Sequence, residues 1–158
     1  MFFFALNLLI TLVWVGLSQD LSFSNLFLGF LIGFVLLFAI SPMFPQRGYF
    51  SKIFLFLEFL IFYIYELIKS NLEVAWDVLT PQDLSEPAIV RIPLEIKSDI
   101  QIALLMNLIT FTPGSLSVDL SKDKKTLYVH GMFVDDEEQF RANIKEGFER
   151  KIRKLFGD

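Results

Sequence analysis

The stretch that decides the fold is the first forty residues: FFFALNLLITLVWVGLS (Phe2–Ser18), QDLS (Gln19–Ser22) and FSNLFLGFLIGFVLLFAI (Phe23–Ile40). Its one charge, Asp20, stands at the midpoint between apolar runs of seventeen and eighteen residues. A helix crosses a bilayer with roughly 20 mostly apolar residues, and about 17 suffice. Two such runs around a polar tetrapeptide predict a transmembrane helical hairpin with Asp20 at its tip. Gly16-Leu17-Ser18 has the small-x-small form of a signal-peptidase site. However, no basic residue precedes the run and a second run follows at once, so an uncleaved first helix is expected.

Each helix carries one stripe of small and weakly polar residues. Asn7, Thr11, Trp14 and Ser18 share a face of the first; Ser22, Asn25, Gly29 and Gly33 share a face of the second. Helices associate in lipid through close backbone approach and side-chain hydrogen bonds, and such stripes supply both. Two readings stay open here: the stripes face each other, or one of them faces another protein.

Composition extends the membrane reading. More than half of the residues are hydrophobic and 19 of 158 are Phe. Residues 1–52 carry a net charge of +1, residues 53–87 carry −5 and residues 88–158 carry zero. No basic face exists for nucleic acid. With no Cys and a single His, thiol chemistry is excluded and imidazole chemistry is reduced to His130. No phosphate loop, dinucleotide glycine pattern or HExxH occurs. The chain is therefore read as a non-enzyme with no cofactor and no resident metal. His130, in an alternating stretch, reads as an ordinary strand residue. The acid run Asp135–Glu138 reads as charge favoured at a helix N-terminus rather than as a cation site.

Three parts follow: a hairpin and loop (1–52), a membrane-associated helix and linker (53–87) and a small α/β domain (88–158). Pro42, Pro45 and Gly48 predict a turn. Arg47 and Lys52 place it on the cytoplasmic side by the positive-inside rule. In residues 53–79, Glu58, Lys69, Glu73, Glu66 and Asp77 fall within about 100° of one helix face, and the rest is apolar. Such a helix lies in the membrane interface with its charges wet. Alternatively it crosses, with the charges turned to protein, because a carboxylate facing hydrocarbon costs several kcal/mol. Glu58, Glu66, Lys69 and Glu73 are the candidates for charge at membrane depth. A cytoplasmic C-terminal domain is the expectation; a crossing helix would place it outside.

From Ala88 the pattern predicts β-α-β-β-α. Val90, Ile92, Leu94 and Ile96 alternate with polar residues, and Pro93 suggests an edge strand. Ser98 is the expected cap of a helix over 100–111, with Ile100, Ala103, Leu104, Leu108 and Phe111 expected inward. Thr112-Pro113-Gly114 ends it. Leu116, Val118 and Leu120 mark a second strand; Leu127, Val129, Gly131 and Phe133 mark a third. Phe140, Ile144, Phe148 and Ile152 form the apolar stripe of a last helix.

Several segments together resemble the E subunit of Mrp-type (Mnh-type) multisubunit monovalent cation/proton antiporters. They are Asn7-Leu8-Leu9 with Trp14; Asn25-Leu26 with Gly29; Lys69-Ser70-Asn71-Leu72-Glu73-Val74-Ala75-Trp76; and Ile89-Val90-Arg91-Ile92-Pro93-Leu94. Most specific is Asn107-Leu108-Ile109-Thr110-Phe111-Thr112-Pro113-Gly114-Ser115-Leu116, followed by Leu127-Tyr128-Val129-His130. The resemblance runs from about residue 5 to 150 in the same order. Glu73 and Asp77 are more acidic than the family pattern. The resemblance implies a multi-pass protein of the bacterial cytoplasmic membrane, in a complex that exports Na+ (or Li+, K+) against inward H+. It implies an accessory, assembly-supporting role, with the other membrane subunits and the lipid bilayer as partners. The ions are then handled by the complex rather than by this chain alone. The family-motif residues are Asn71, Trp76, Asn107, Thr112, Pro113 and Gly114. The alternatives from other classes are a self-sufficient oligomeric carrier and a membrane-anchored adaptor.

Overall fold

The computed structural model describes residues 2–41, 48–81 and 85–157. Of the expected turn, Pro42, Pro45 and Arg47 lie outside them, and Gly48 is the first residue of a helix. The elements run α1 (Phe2–Ser18), α2 (Phe23–Ile40), α3 (Gly48–Leu79), β1 (Ala88–Pro93), α4 (Asp99–Phe111), β2 (Ser115–Leu120), β3 (Thr126–Gly131), α5 (Glu137–Ala142), a π-helical stretch Asn143–Glu149 and α6 (Arg150–Phe156). The protein is mostly helical, with one three-stranded antiparallel sheet. It divides into two compact units, residues 1–54 and 55–158. Residues 55–87 thus group with the α/β domain that the sequence alone sets apart from them.

In the first unit, α1 and α2 pack along each other in opposite directions. Gln19 takes a left-handed φ of 53° to end α1, a conformation that costs a side chain about 1–2 kcal/mol. The Asp20 carboxylate accepts from the Ser22 amide (2.8 Å) and hydroxyl (2.9 Å). The Ser22 oxygen in turn caps α2 by accepting from the Asn25 amide. Phe3, Leu37 and Phe50 close one end, with Phe3 and Phe50 rings edge-to-face at 5.7 Å. Of the described helices, α2 alone is long and apolar enough to cross a membrane by length and composition.

In the second unit β3 is central and β1 and β2 are the edges, as Pro93 in β1 requires. Val90 pairs with Val129 and Ile92 with Leu127. Their side chains are buried under α4 and the last helix with Leu105, Ile109 and Ile152. Each such side chain contributes about 1.5–3 kcal/mol by leaving water. Phe59 of α3 joins the same core, and Phe62 and Tyr63 pack against it.

Two expectations are corrected. In α4, Ile102, Leu105, Leu108 and Ile109 face inward together with Gln101, whereas Ile100 and Phe111 are exposed. This helix is apolar on nearly every side, so its sequence gives no phase. Ser98 begins α4 through its carbonyl, which accepts from Ile102, and its side chain makes no capping bond. In β2, Leu116 and Val118 point outward. The serines take the helix-facing side: Ser115 donates to the Ile109 carbonyl (2.7 Å) and Ser117 to that of Met106 (3.0 Å).

The last helix explains its own π-helical stretch. Phe140, Ile144, Phe148 and Ile152 recur every four residues, a row that drifts by about 40° per step on an α-helix. The wider π turn keeps such a row on one face. Beside it runs a second four-residue row that closes the β1 edge. Arg141 donates to the Arg91 carbonyl (2.9 Å) and Lys145 to that of Pro93 (3.2 Å). Buried Glu149 accepts from the Glu95 (2.6 Å) and Ile96 (3.0 Å) amides. An edge strand left open invites pairing with another chain, and these contacts occupy the Arg91 and Pro93 end of β1 and the chain just beyond it.

Candidate functional site

The sequence singles out three groups of residues. The first lies wholly in the α1–α2 pair. Asn7 is fully buried, and a Cβ on Gly33 would stand 2.1 Å from its Oδ1. The oxygen is therefore within about 3.6 Å of the Gly33 Cα, in the range of a Cα–H···O contact. Neither Asn7 Oδ1 nor Nδ2 has a conventional hydrogen-bond partner among the described residues. Thr11 is buried and donates to the Asn7 carbonyl at 2.9 Å. Trp14 covers Gly29, where a Cβ would meet its ring at 2.9 Å. The Trp14 indole donates to Asn25 Oδ1 at 2.9 Å, and the Asn25 amide donates to Ser18 (2.5 Å) and to the Asp20 carbonyl (2.6 Å). All six residues of this group meet one another along one seam.

The second and third groups converge in the second unit. The charged face of α3 is turned toward the α/β domain. Glu58 pairs with Lys151 at 2.7 Å, while Glu66, Lys69 and Glu73 line a groove of about 730 Å3. Its other wall comes from Thr112-Pro113-Gly114-Ser115, from Asp135 and Asp136, and from Gln139 to Phe148 of the last helix. Thr112 is buried and donates to the Leu108 carbonyl (2.8 Å), which holds the end of α4. Gly114 has φ +80°, so a side chain there is strained. Its carbonyl accepts from Met132 at 2.7 Å, tying this turn to the end of β3.

The remaining motif residues stay apart from the groove. Asn71 and Asn107 are exposed, and each donates to a carbonyl of its own helix. Trp76 is exposed and lies in line with Glu58, five turns along α3. Glu146 is the groove residue that sequence reasoning misses, and Asp135 and Asp136 are read there only as helix-end charge. Asp136 does fill that role, accepting from the Glu138 and Gln139 amides. Among the described residues no cluster of three or more His, Asp or Glu stands close enough to hold a metal ion. The groove thus presents five carboxylates and one ammonium group around the rings of Phe62, Phe133 and Phe140. Lys69 is the ammonium group, 3.7 Å from Glu73.

Outside the groove, Lys145 and Arg153 bind Glu95. The Lys145 hydrogen bond and charge hold the Glu95 carboxyl below its ordinary value of 4.5; burial opposes them, and Arg153 adds smaller contributions in the same direction as Lys145.

Comparison with known proteins agrees with the resemblance. A family model described as Na+/H+ ion antiporter subunit matches residues 7–155. The E1 subunit of the Na(+)/H(+) antiporter of Staphylococcus haemolyticus is 35% identical over 153 residues, covering 97% of this chain and 96% of its own. The E subunit of the Na(+)/H(+) antiporter of Alkalihalophilus pseudofirmus is 33% identical over 147 residues, covering 93% of each. A chain in the membrane-bound sulfane sulfur reductase, an archaeal respiratory membrane complex, shares the fold with a TM-score of 0.57. It is 23% identical, and the match covers 98% of each chain. With a matching family model along nearly its whole length and relatives above 30% identity, the chain belongs to the E-subunit family of Mrp-type (Mnh-type) multisubunit Na+/H+ antiporters.

Proposed function

We propose that this chain is an accessory, assembly-supporting membrane subunit of a multisubunit antiporter that moves Na+ (or Li+, K+) outward against H+ influx. One observation carries the reading: α1 and α2 spend their polar residues on each other and leave an apolar exterior. A hydrated cation has no polar path along such a pair, whereas a lipid bilayer or neighbouring apolar helices match its surface. The pair crosses the membrane as a hairpin with its Asp20 tip outside, and the loop near Lys52 is cytoplasmic.

The second unit meets the membrane through α3. The row Leu57, Ile61, Ile68, Leu72 and Leu79 is exposed on the side of α3 away from Phe59 and Phe62, which pack into the α/β core. An interfacial helix buries such a row among acyl chains while its charged face stays wet. The β-α-β-β-α domain then stands on the water side of α3, in the cytoplasm.

Deletion of the chain from its host tests the subunit reading. The expected outcome is sodium sensitivity at alkaline pH. In mild detergent the tagged chain should extract in a large assembly with other membrane proteins. Normal salt tolerance and a chain that migrates alone would remove the proposal. So would cation/proton exchange by the purified chain alone in liposomes.

A further inference from the structure

The groove between α3 and the last helix carries more carboxylates than its own fold pairs with cations. Among the described residues no ion pair engages Glu66, Asp135, Asp136 or Glu146, although all four line it. Several like charges around one low-dielectric groove focus a negative field into it. The carboxylates are spread along the groove rather than gathered, and no metal-holding cluster forms among the described residues. A point cation is therefore a poor match, and an extended cation is a good one. The volume, about 730 Å3, accommodates several side chains. The rings of Phe62, Phe133 and Phe140 provide apolar surface for the stems of long cationic residues.

The fold already seats one lysine in this manner beside the groove. Lys151 bonds the Glu58 carboxylate at 2.7 Å, and its ammonium lies 4.9 Å from the centre of the Phe62 ring. Carboxylate at the tip and ring beneath is a favourable setting for a cation. Phe62 is shared, since it also lines the groove.

We propose that this groove docks a Lys- and Arg-bearing segment of a neighbouring subunit, an inference that rests on the subunit reading above. Charge complementarity selects the occupant. Cytoplasmic loops of membrane proteins are enriched in Lys and Arg, so a domain on that side meets such segments at every junction. The carboxylates of Glu66, Asp135 and Glu146 bind the cationic tips, and the aromatic floor takes the stems.

The test uses the intact complex in its own membranes. A photoreactive Gln139→benzoylphenylalanine substitution in the groove is irradiated, and the adduct is mapped by mass spectrometry. A Leu116→benzoylphenylalanine chain, labelled on the outer sheet face, is the control. The expected adduct joins residue 139 to a Lys- or Arg-bearing segment of another subunit. Its yield should fall about tenfold when Glu66→Gln, Asp135→Asn and Glu146→Gln are combined. Adducts to lipid, to an acidic or uncharged segment, or to a second copy of this chain would overturn the proposal. So would equal yield from the neutralised chain. Co-extraction with the other subunits is read from the same sample. Co-extraction without an adduct defeats the docking alone; a chain that does not co-extract defeats the subunit reading and the docking with it.

Discussion

The two units sort their residues in opposite ways. In the first, Asn7 is 0% exposed while Leu17 and Phe23 are 80% and 84% exposed. In the second, Val90, Ile92, Leu105 and Leu127 are fully buried, and of the described charged residues Glu149 alone is buried with them. The second pattern is what water imposes on a small domain. The first arises where the surroundings are as apolar as Leu, so that packing and polar contact replace apolar burial as the force between helices. Helix α3 carries both patterns: its charged face meets the α/β domain, and its apolar face meets none of the second unit.

The sharpest way to break this comparison is a truncation in the water-type core. Leu105→Ala should destabilise the second unit by roughly 2–5 kcal/mol, seen as a lower midpoint in urea for the purified chain in detergent. A loss below about 1 kcal/mol would mean that this core is not what holds the unit together. In the first unit the corresponding defect is an added methyl. Gly33→Ala overlaps Asn7 and should cost about 1–3 kcal/mol, read as a reduced level of chain in the membrane. Asn7→Ala in the same chain should recover part of that loss. Gly16→Ala, with nothing within 4 Å of its Cβ, should be neutral. Equal losses at Gly33 and Gly16 would deny the seam its close contact.

The double face of α3 predicts a smaller effect, on location rather than folding. Ile61→Lys together with Leu72→Lys should leave the urea midpoint within about 0.5 kcal/mol, because both residues are exposed. The same pair should weaken crosslinking of α3 to a photoactivatable lipid in vesicles. Unchanged lipid labelling would show that this row faces something other than acyl chains.

The smallest expected effect is a pH dependence confined to the second unit. The folded value of Glu95 is lowered by Lys145 and Arg153, so its ion pairs contribute stability above about pH 4.5, the unfolded value. That contribution is lost as pH falls through the folded value. Glu95→Gln should flatten this part of the acid decline, measured by the urea midpoint at successive pH values. An unchanged decline would assign it to other carboxylates.

Legibility followed contrast. The boundaries of α1 and α2 were readable because a charged tetrapeptide interrupts otherwise unbroken apolar runs. The core positions of β1 and β3 were readable from alternation. The phase of α4 was not, because DIQIALLMNLITF (99–111) offers apolar residues on every face. Leu116 and Val118 marked β2 as a strand but not its buried face, because Ser115 and Ser117 face α4 and donate to its carbonyls, a use of serine that outweighs alternation. The groove was legible only in pieces. Glu66, Lys69 and Glu73 stood out as charges in an apolar helix, and Thr112-Pro113-Gly114 as a motif. Nothing in their spacing tied either set to Glu146.

The order of residues alone determined the two apolar runs, the one-sided charge of α3 and the family, since each is a local pattern or a run of matching words. Tertiary structure decided which partner each stripe met. Only close packing brings Asn7 to Gly33, sets the charged face of α3 against a domain tens of residues downstream, and gathers carboxylates from three elements around one groove. The physical reason is range: periodicity reports the next turn of the same helix, whereas contact between distant segments depends on shape and volume that no single stretch contains.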